Sequence, residues 1–164
     1  MNDVSIGALL TIVLLMIVVS AFFASTETAL MSLNRYRLRH KALSGNRSAK
    51  LTEHLLAKPD RLIGVILLGN TFANVGTATL TTILALRLYG ESGIVVASGV
   101  ASILMFVFGD LAPKTFGALH PERLALASAW VYVVLDKLLY PVVWCANLAA
   151  NSLLKLLGVS SQQV

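Results

Sequence analysis

Residues 4–26, VSIGALLTIVLLMIVVSAFFAST, form a long uncharged run near the start of the chain. A helix rises about 1.5 Å per residue and the hydrocarbon core of a bilayer is about 30 Å thick, so this run is long enough to span a membrane. Two further uncharged runs of spanning or nearly spanning length follow, at 62–86 and at 92–109. The sequence therefore predicts an all-α, polytopic membrane protein.

The composition agrees with a membrane protein. Hydrophobic residues make up 57% of the chain, charged residues only 13%, and the mean hydropathy is +0.79. A soluble domain needs about a quarter of its residues charged to cover its surface, so this composition does not fit one. We also expect that the protein is not an enzyme. The length of 164 residues allows one domain. Cys145 is the only cysteine, which excludes an intrachain disulfide, and the three histidines lie outside the apolar runs, so we expect no zinc site.

The formal net charge of +5 is concentrated in one segment. Eight of the 13 lysine and arginine residues fall between Arg35 and Arg61. Basic loops of membrane proteins face the cytoplasm, so we expect this segment there, beside anionic headgroups and not bound to nucleic acid. A turn signal at 44–46 and leucines at helical spacing predict two short amphipathic helices on the membrane surface. A solvated basic loop is the alternative.

The order of the apolar runs sets the expected topology. The short LYGES turn joins the second and third spans on the outer side, which places the N-terminus outside as well. The last third of the chain, 124–157, is mostly apolar but is interrupted by Asp136, Lys137 and Pro141. It is either a fourth span over 138–157 or a broken helix that lies along the cytoplasmic interface as a belt.

A polar stripe runs along the second apolar run. Its members lie at positions i, i+4, i+7 and i+11, which places them on one face of a helix. They are Asn70, Asn74, Thr77 and Thr81. Polar groups in hydrocarbon are costly, so the two asparagines indicate a lined cavity, whereas hydrogen bonds between helices are the alternative, favoured for the threonines.

The third apolar run ends in the sequence FGDLAPKTFG, residues 108–117. Pro113 clashes with the carbonyl four residues earlier, which belongs to Gly109. A freed carbonyl next to the Asp110 carboxylate is a pair of hard oxygen ligands of the kind that Mg²⁺ or Na⁺ prefers, and broken helices in transporters present such pairs. The alternative is that Asp110 pairs with Lys114, four residues on.

Hydroxyl groups also lie near the end of the first run. Ser25 is a candidate ligand, although a serine in a membrane helix commonly bonds to a carbonyl of its own helix. Glu27 lies about 200° around a regular helix from Ser25, so the two side chains cannot both point at one ion. Glu27 either reaches the interface or pairs with the basic segment.

Three segments resemble the transmembrane domain of the CorC/CNNM magnesium transporters. They are FFASTETALMSLNRYRLR at 22–39, GNRSAKLTEHLLAKPDRLIGVILLGNTFANV at 45–75, and FGDLAPKTFGALHPERLA at 108–125. The resemblance implies a homodimer in the bilayer, with three spanning helices per subunit and a cytoplasmic helical belt. It also implies export of Mg²⁺, proposed to be coupled to Na⁺ entry.

The same resemblance sets the expected boundaries and location. Family members carry cytosolic regulatory domains that bind ATP after this region, so the C-terminus is expected inside and 124–157 is expected to form the belt. We therefore expect a transmembrane transporter domain over 1–158 and the start of a linker to those domains at 159–164. The expected location is the bacterial cytoplasmic membrane.

The expected metal site combines Ser25, Asn70, Asn74, the Gly109 carbonyl and Asp110. Two departures from the family bear on it. The family usually has Glu where this chain has Asp110, and often has Ser where this chain has Ala24. The rival to a transporter is a membrane scaffold that binds Mg²⁺ as a sensor without moving it, which needs the same pocket.

Overall fold

The computed structural model describes residues 5–157, and the regular structure within that range is helical throughout. The helices, in chain order, are α1 (Ile6–Ser32), α2 (Arg35–Leu43), α3 (Arg47–Leu56), α4 (Pro59–Tyr89), α5 (Ile94–Leu104), α6 (Ala112–Leu119) and α7 (Pro121–Leu156), with a 3₁₀ turn (Glu91–Gly93) before α5 and a π-helical segment (Met105–Leu111) before α6. The predicted all-α class is confirmed. The predicted linker at 159–164 lies outside the described residues.

Within residues 5–157, four stretches of helix are long and apolar enough to cross a membrane. They are Ile6–Ser32, Pro59–Tyr89, Glu91–Leu119 and Pro121–Leu156. The first three overlap the three predicted spans. The prediction of three is nevertheless not matched, because α7 meets the same requirements of length and composition. Many large apolar side chains on these helices are exposed, among them Leu14, Val18 and Val95, as expected for surfaces that face lipid.

The last third of the chain is one helix. α7 continues for 36 residues with Pro141 in its interior. A proline inside a helix removes one backbone hydrogen bond, and apolar helices tolerate this loss when local groups satisfy the freed carbonyl. The expected break at Pro141 is therefore wrong. α7 also begins well before Leu138, where the alternative placed the start of a separate span.

The basic segment folds into α2 and α3, as predicted. The Asn34 side chain caps α2 by accepting two backbone hydrogen bonds, at 3.0 and 3.2 Å. Asn46 caps α3 in the same way, accepting from the Ala49 N–H at 3.0 Å. Gly45, in the turn between them, has a φ of 94°, which glycine adopts without a steric penalty.

The third apolar run stays helical across Pro113. The proline lies in the first turn of α6, where a missing N–H is tolerated. Just before it, the chain widens into the π-helical segment, whose end is marked by a hydrogen bond from the Ala112 N–H to the Val107 carbonyl, five residues earlier. The expected break is thus a local change of helical pitch, of a kind that often occurs at functional sites.

The helices form two compact units. The first unit comprises the residues up to Leu33 together with Gly69–Ala125, and the second comprises Asn34–Leu68 together with the residues from Leu126 onward. In the first unit, α6 lies so close to α1 that a Cβ on Gly117 would collide with the Ser25 backbone carbonyl. Glycine is therefore needed there for two helix backbones to meet.

The second unit packs the start of α7 against α3. Tyr132 is completely buried, and Trp130 donates a 3.3 Å hydrogen bond from Nε1 to the Ser48 hydroxyl. A cavity in this unit contains the ion pair between Arg61 and Asp136.

Candidate functional site

Four oxygen atoms, one of them the Ser20 hydroxyl, lie close together within the first unit. Ser20 Oγ lies 3.0 Å from Asn70 Oδ1, 2.9 Å from Asn74 Oδ1 and 3.4 Å from the Gly109 carbonyl oxygen. These groups come from α1, α4 and the π-helical segment, and only 1% of Ser20 is exposed. We call these four oxygens the Ser20 cluster.

The Ser20 cluster has more acceptors than protons. A hydroxyl carries one proton, so Ser20 can donate to only one of the three oxygens that surround it. The other two oxygens face the same place without a donor from Ser20, so they are left to accept from water or to bind a cation. A cation among these oxygens would be attracted by all of them, and neutral carbonyl, amide and hydroxyl oxygens are ligands that Mg²⁺, Ca²⁺ and Na⁺ accept.

The local sequence explains why the Gly109 carbonyl is available. Pro113 has no N–H, so it cannot donate to the carbonyl four residues earlier. Gly109 is buried, and a Cβ added there would lie 3.0 Å from Met105 Sδ and 3.5 Å from Ser20 Oγ. The absence of a side chain therefore lets Ser20 approach the carbonyl.

Asp110 follows Gly109 but directs its carboxylate elsewhere. Its Oδ1 lies 2.9 Å from Lys114 Nζ, and the two side chains are 42% and 44% exposed. The structure thus contains the i, i+4 ion pair that was the alternative role for Asp110. Asp110 and Asn74 also line the same cavity, so Asp110 borders a space that reaches the Ser20 cluster through Asn74.

This cavity has a volume of about 350 Å³, and six of its eleven lining residues carry a hydroxyl or amide group. Three members of the predicted polar stripe line it, namely Asn74, Thr77 and Thr81. Thr77 donates its hydroxyl proton to the Ala73 carbonyl of its own helix at 2.8 Å. The Thr81 Oγ1 atom, by contrast, is buried and has no hydrogen-bond partner within residues 5–157. Its hydroxyl is free to bind water or an ion in the cavity.

The structure does not bring Ser25 to the Ser20 cluster. The Ser25 hydroxyl donates to the Phe22 carbonyl at 3.0 Å, and its backbone carbonyl lies against Gly117. Ser25 lines a different cavity, together with Phe108 and Pro113. Of the five expected site residues, the structure groups Asn70, Asn74 and Gly109, keeps Asp110 at the border of the adjoining cavity, and separates Ser25.

Sequence reasoning missed Ser20. The nearest polar residue before it is Thr11, so Ser20 is an isolated hydroxyl in the most apolar part of the first run. It also lies four residues before Ala24, where the family often has serine, and i, i+4 positions share a helix face. The i, i+4 spacing between Ser20 and Ala24 could therefore have indicated Ser20 as a site residue.

Carboxylates and soft ligands contribute little to this region. Within residues 5–157, no group of three or more His, Cys, Asp or Glu side chains is placed to hold a metal ion. An ion at the Ser20 cluster would therefore be held by neutral oxygens, with Asp110 as the adjacent negative charge. Such a site favours weak, reversible binding of a hard cation over permanent retention of a transition metal.

Comparison with known proteins places the chain in a family. A sequence model of the cyclin M transmembrane N-terminal domain, abbreviated CNNM, matches residues 10–164. The chain is 44% identical over 146 residues to the UPF0053 inner membrane protein YfjD of Escherichia coli K12, an alignment that covers 89% of this chain and 34% of the relative. It is 38% identical over 159 residues to a UPF0053 protein of Haemophilus influenzae, covering 97% of this chain and 38% of that one.

A more distant relative shows similar coverage. The UPF0053 protein YhdT of Bacillus subtilis is 28% identical over 158 residues, which covers 88% of this chain and 34% of YhdT. The chain thus spans about a third of the length of the curated relatives it matches. The match of the domain model to nearly the whole chain, together with the relatives at 44% and 38% identity, shows that the chain belongs to the CorC/CNNM family and carries its transmembrane domain.

Proposed function

We propose that this chain is the membrane domain of a transporter that exports Mg²⁺ across the bacterial cytoplasmic membrane. The observation that carries the proposal is the Ser20 cluster, because it gathers four oxygens from three helical segments inside apolar helices. Polar groups at membrane depth are costly and are typical of ion pathways. Membership of a family of membrane ion transporters and the name of the E. coli relative, an inner membrane protein, support this assignment.

The proposed ligand set follows from the geometry. Mg²⁺ prefers about six oxygen ligands in an octahedron and gives up its waters reluctantly. The Ser20 cluster offers up to four oxygens, the adjoining cavity has room for the remaining waters, and Asp110 at its border supplies a negative charge. We therefore propose Ser20, Asn70, Asn74, the Gly109 carbonyl and Asp110 as the site. We leave Ser25 out of the proposed site because its hydroxyl donates to a carbonyl of its own helix, α1.

Lys114 competes with the ion for Asp110 in this proposal. With no cation bound, Lys114 neutralises the carboxylate, as in the ion pair of the structure. When Mg²⁺ enters, Asp110 turns from Lys114 towards the ion. Because exposed ion pairs are worth only about 0–1 kcal/mol, giving up the contact with Lys114 costs the site little. Mg²⁺ is weakly bound because most of its ligands are neutral oxygens, which favours its release. A site of mostly neutral oxygens also suits Na⁺, whose entry we propose as the coupled movement.

The position of α7 decides how many helices span the membrane, and we propose that α7 lies along the cytoplasmic interface as a belt. Asp136 and Lys137 are near the middle of its 36 residues, where a spanning helix would carry them to the bilayer centre at a cost of about 2.5–3.5 kcal/mol each. Trp130 and Trp144 are about half exposed, and tryptophan prefers the interface. Three spans then place the N-terminus outside and the C-terminus inside.

We also propose a homodimer. Gly99 and Ser102 lie on exposed surface of α5, in the third span, where small residues allow close packing of a second subunit. Because the matched region is about a third of the length of the relatives, we further propose that cytosolic regulatory domains follow this chain in the whole protein. In the family these domains bind ATP.

Mg²⁺ flux in proteoliposomes tests the proposal with a matched pair of serines. Ser20→Ala removes the central oxygen of the cluster, whereas Ser25→Ala removes a hydroxyl that only bonds to its own helix. We expect Ser20→Ala to lower Mg²⁺ flux at least about 10-fold, equivalent to about 1.4 kcal/mol, and Ser25→Ala to leave it within about 2-fold. Equal flux from the wild-type and Ser20→Ala proteins would contradict the proposal.

The same preparation separates the transporter from the sensor. Mg²⁺ that binds the Ser20 cluster should raise the thermal unfolding midpoint of the wild-type protein and not that of Ser20→Ala. A wild-type protein that gives this shift but moves no Mg²⁺ under any imposed Na⁺ or Mg²⁺ gradient would support the sensing scaffold instead.

A further inference from the structure

A basic cavity in the second unit is unrelated to the Ser20 cluster. It has a volume of about 220 Å³ and lies among the end of α3, the start of α4 and the middle of α7. Its charged and titratable lining groups are His54, Lys58, Arg61, Asp136 and Lys137. With histidine neutral, three positive charges face one negative charge, a local net charge of +2.

The one acidic group in this lining is already occupied. Arg61 Nε donates to Asp136 Oδ1, and Arg61 Nη2 donates to the Asp136 backbone carbonyl at 3.4 Å. Within residues 5–157, neither Lys58 nor Lys137 forms an ion pair with a carboxylate. Two lysines of the lining therefore have no carboxylate partner in the described part of the chain, which favours an anion from outside the chain.

The arginine is held in place from a second side. Its guanidinium carbon lies 4.2 Å from the centre of the Tyr140 ring, which is a cation–π contact. Tyr140 is on α7, the same helix as Asp136. A guanidinium fixed by an ion pair and an aromatic ring presents its remaining N–H groups in a defined direction. The start of α4 is close by, since Lys58 precedes the helix and Arg61 is in its first turn, and a helix N-terminus also favours negative charge.

We propose that this cavity binds a phosphate group. A fixed guanidinium with two mobile ammonium groups matches a phosphate better than a single carboxylate, because a phosphate offers several oxygens to separate donors. The group can come from the headgroup of an acidic phospholipid or from a soluble phosphate compound. The inference does not depend on Mg²⁺ transport, because none of these residues belongs to the Ser20 cluster.

The test compares two double substitutions that remove the same charge. Lys58→Gln with Lys137→Gln removes both uncompensated cations of the cavity, whereas Arg39→Gln with Lys50→Gln removes two exposed cations of the basic segment that do not line it. Both lysines of the cavity are exposed, so the fold should survive. Should the double variant unfold, the single variants Lys58→Gln and Lys137→Gln replace it.

Binding is measured on the purified protein in a non-ionic detergent, as the shift of the thermal unfolding midpoint with added probe. The probes are short-chain phosphatidylglycerol and inorganic phosphate, with sodium chloride at equal ionic strength as the blank. We expect the cavity variant to weaken binding about 30-fold, corresponding to about 1 kcal/mol for each lysine, and the control variant to weaken it less than about 3-fold.

Each outcome decides the proposal. A variant-dependent response to phosphatidylglycerol alone assigns the site to lipid headgroups, and the same response to inorganic phosphate assigns it to soluble phosphates. If neither probe binds the wild-type protein, or if the cavity and control variants lose affinity equally, the basic segment acts only as a diffuse charged surface and the proposal is wrong.

Discussion

At the scale of single residues, the proposed site is built around a serine surrounded by acceptors. Ser20 is separated from Asn70, Asn74 and Gly109 by 50, 54 and 89 positions in sequence. The polar stripe on α4 and the freed carbonyl before Pro113 follow from spacing and from proline chemistry, so the sequence predicted them. The packing of α1 against both does not follow from any local pattern, which is why Ser25, within a recognisable motif, was expected in place of Ser20.

Asp110 carries the first residue-scale prediction. Asp110→Asn keeps the shape of the side chain and removes the negative charge, so we expect Mg²⁺ flux to fall at least about 10-fold while the protein stays folded. Lys114→Ala should instead preserve or strengthen Mg²⁺ binding, because it removes the competitor for the carboxylate. Flux assays and Mg²⁺-dependent unfolding midpoints measure the two effects.

A purely structural role for Asp110 predicts a different result for Asp110→Asn and Lys114→Ala. If Asp110 serves only to hold Lys114, the two substitutions should destabilise the protein by the same small amount, about 0–1 kcal/mol, and leave flux per folded molecule unchanged.

The second residue-scale prediction concerns Thr81. Its hydroxyl has no hydrogen-bond partner among residues 5–157, so Thr81→Val should change the free energy of unfolding by less than about 0.5 kcal/mol. The cavity nevertheless loses an oxygen that can contact the ion's waters, so we expect flux to fall several-fold. Thr115→Val is the control, because Thr115 bonds to the Leu111 carbonyl and does not line the cavity. Unchanged flux in Thr81→Val would remove this cavity from the ion path.

At the scale of helices, the apolar runs predicted where α1, α4 and the third span lie. The turn signal at 44–46 and the leucines at helical spacing predicted α2 and α3. Pro113 and Pro141 were expected to interrupt helices that in fact continue past them. Pro113 falls in the first turn of α6, where its missing N–H is tolerated, and Pro141 lies inside a helix long enough to continue past one lost hydrogen bond. Proline lowers the local preference for helix, but the apolar surroundings decide whether the helix ends.

Gly117 tests the contact between α6 and α1. Gly117→Ala places a methyl group against the Ser25 backbone carbonyl, which cannot move without shifting α1, so we expect a loss of about 1–3 kcal/mol in the free energy of unfolding. Gly7→Ala in α1 is the matched control, because nothing lies within 4 Å of the added Cβ and alanine favours the helix. Chemical denaturation in detergent compares them. Equal stability of the two variants would show that the helices do not meet as closely as described.

At the scale of the whole molecule, the proposed arrangement places the basic segment and the C-terminus on the same side of the membrane. With Cys145 replaced by alanine, single cysteines at Ser92 and Ser160 should be labelled by an impermeant reagent from opposite sides of the membrane. We expect the outside reagent to reach Ser92 only, in intact cells. Labelling of both positions from outside would make α7 a fourth span and exclude the belt.

The most direct measurement of the central claim locates the ion itself. Mn²⁺ accepts the same oxygen ligands as Mg²⁺ and gives an anomalous X-ray signal, so crystals grown with Mn²⁺ reveal where a divalent cation binds. We expect an anomalous peak within about 2–3 Å of Ser20 Oγ, the Asn70 and Asn74 amide oxygens and the Gly109 carbonyl, and no such peak in Ser20→Ala crystals. A peak beside Ser25 and away from Ser20, or no ordered peak in the wild-type protein at saturating Mn²⁺, would contradict the account.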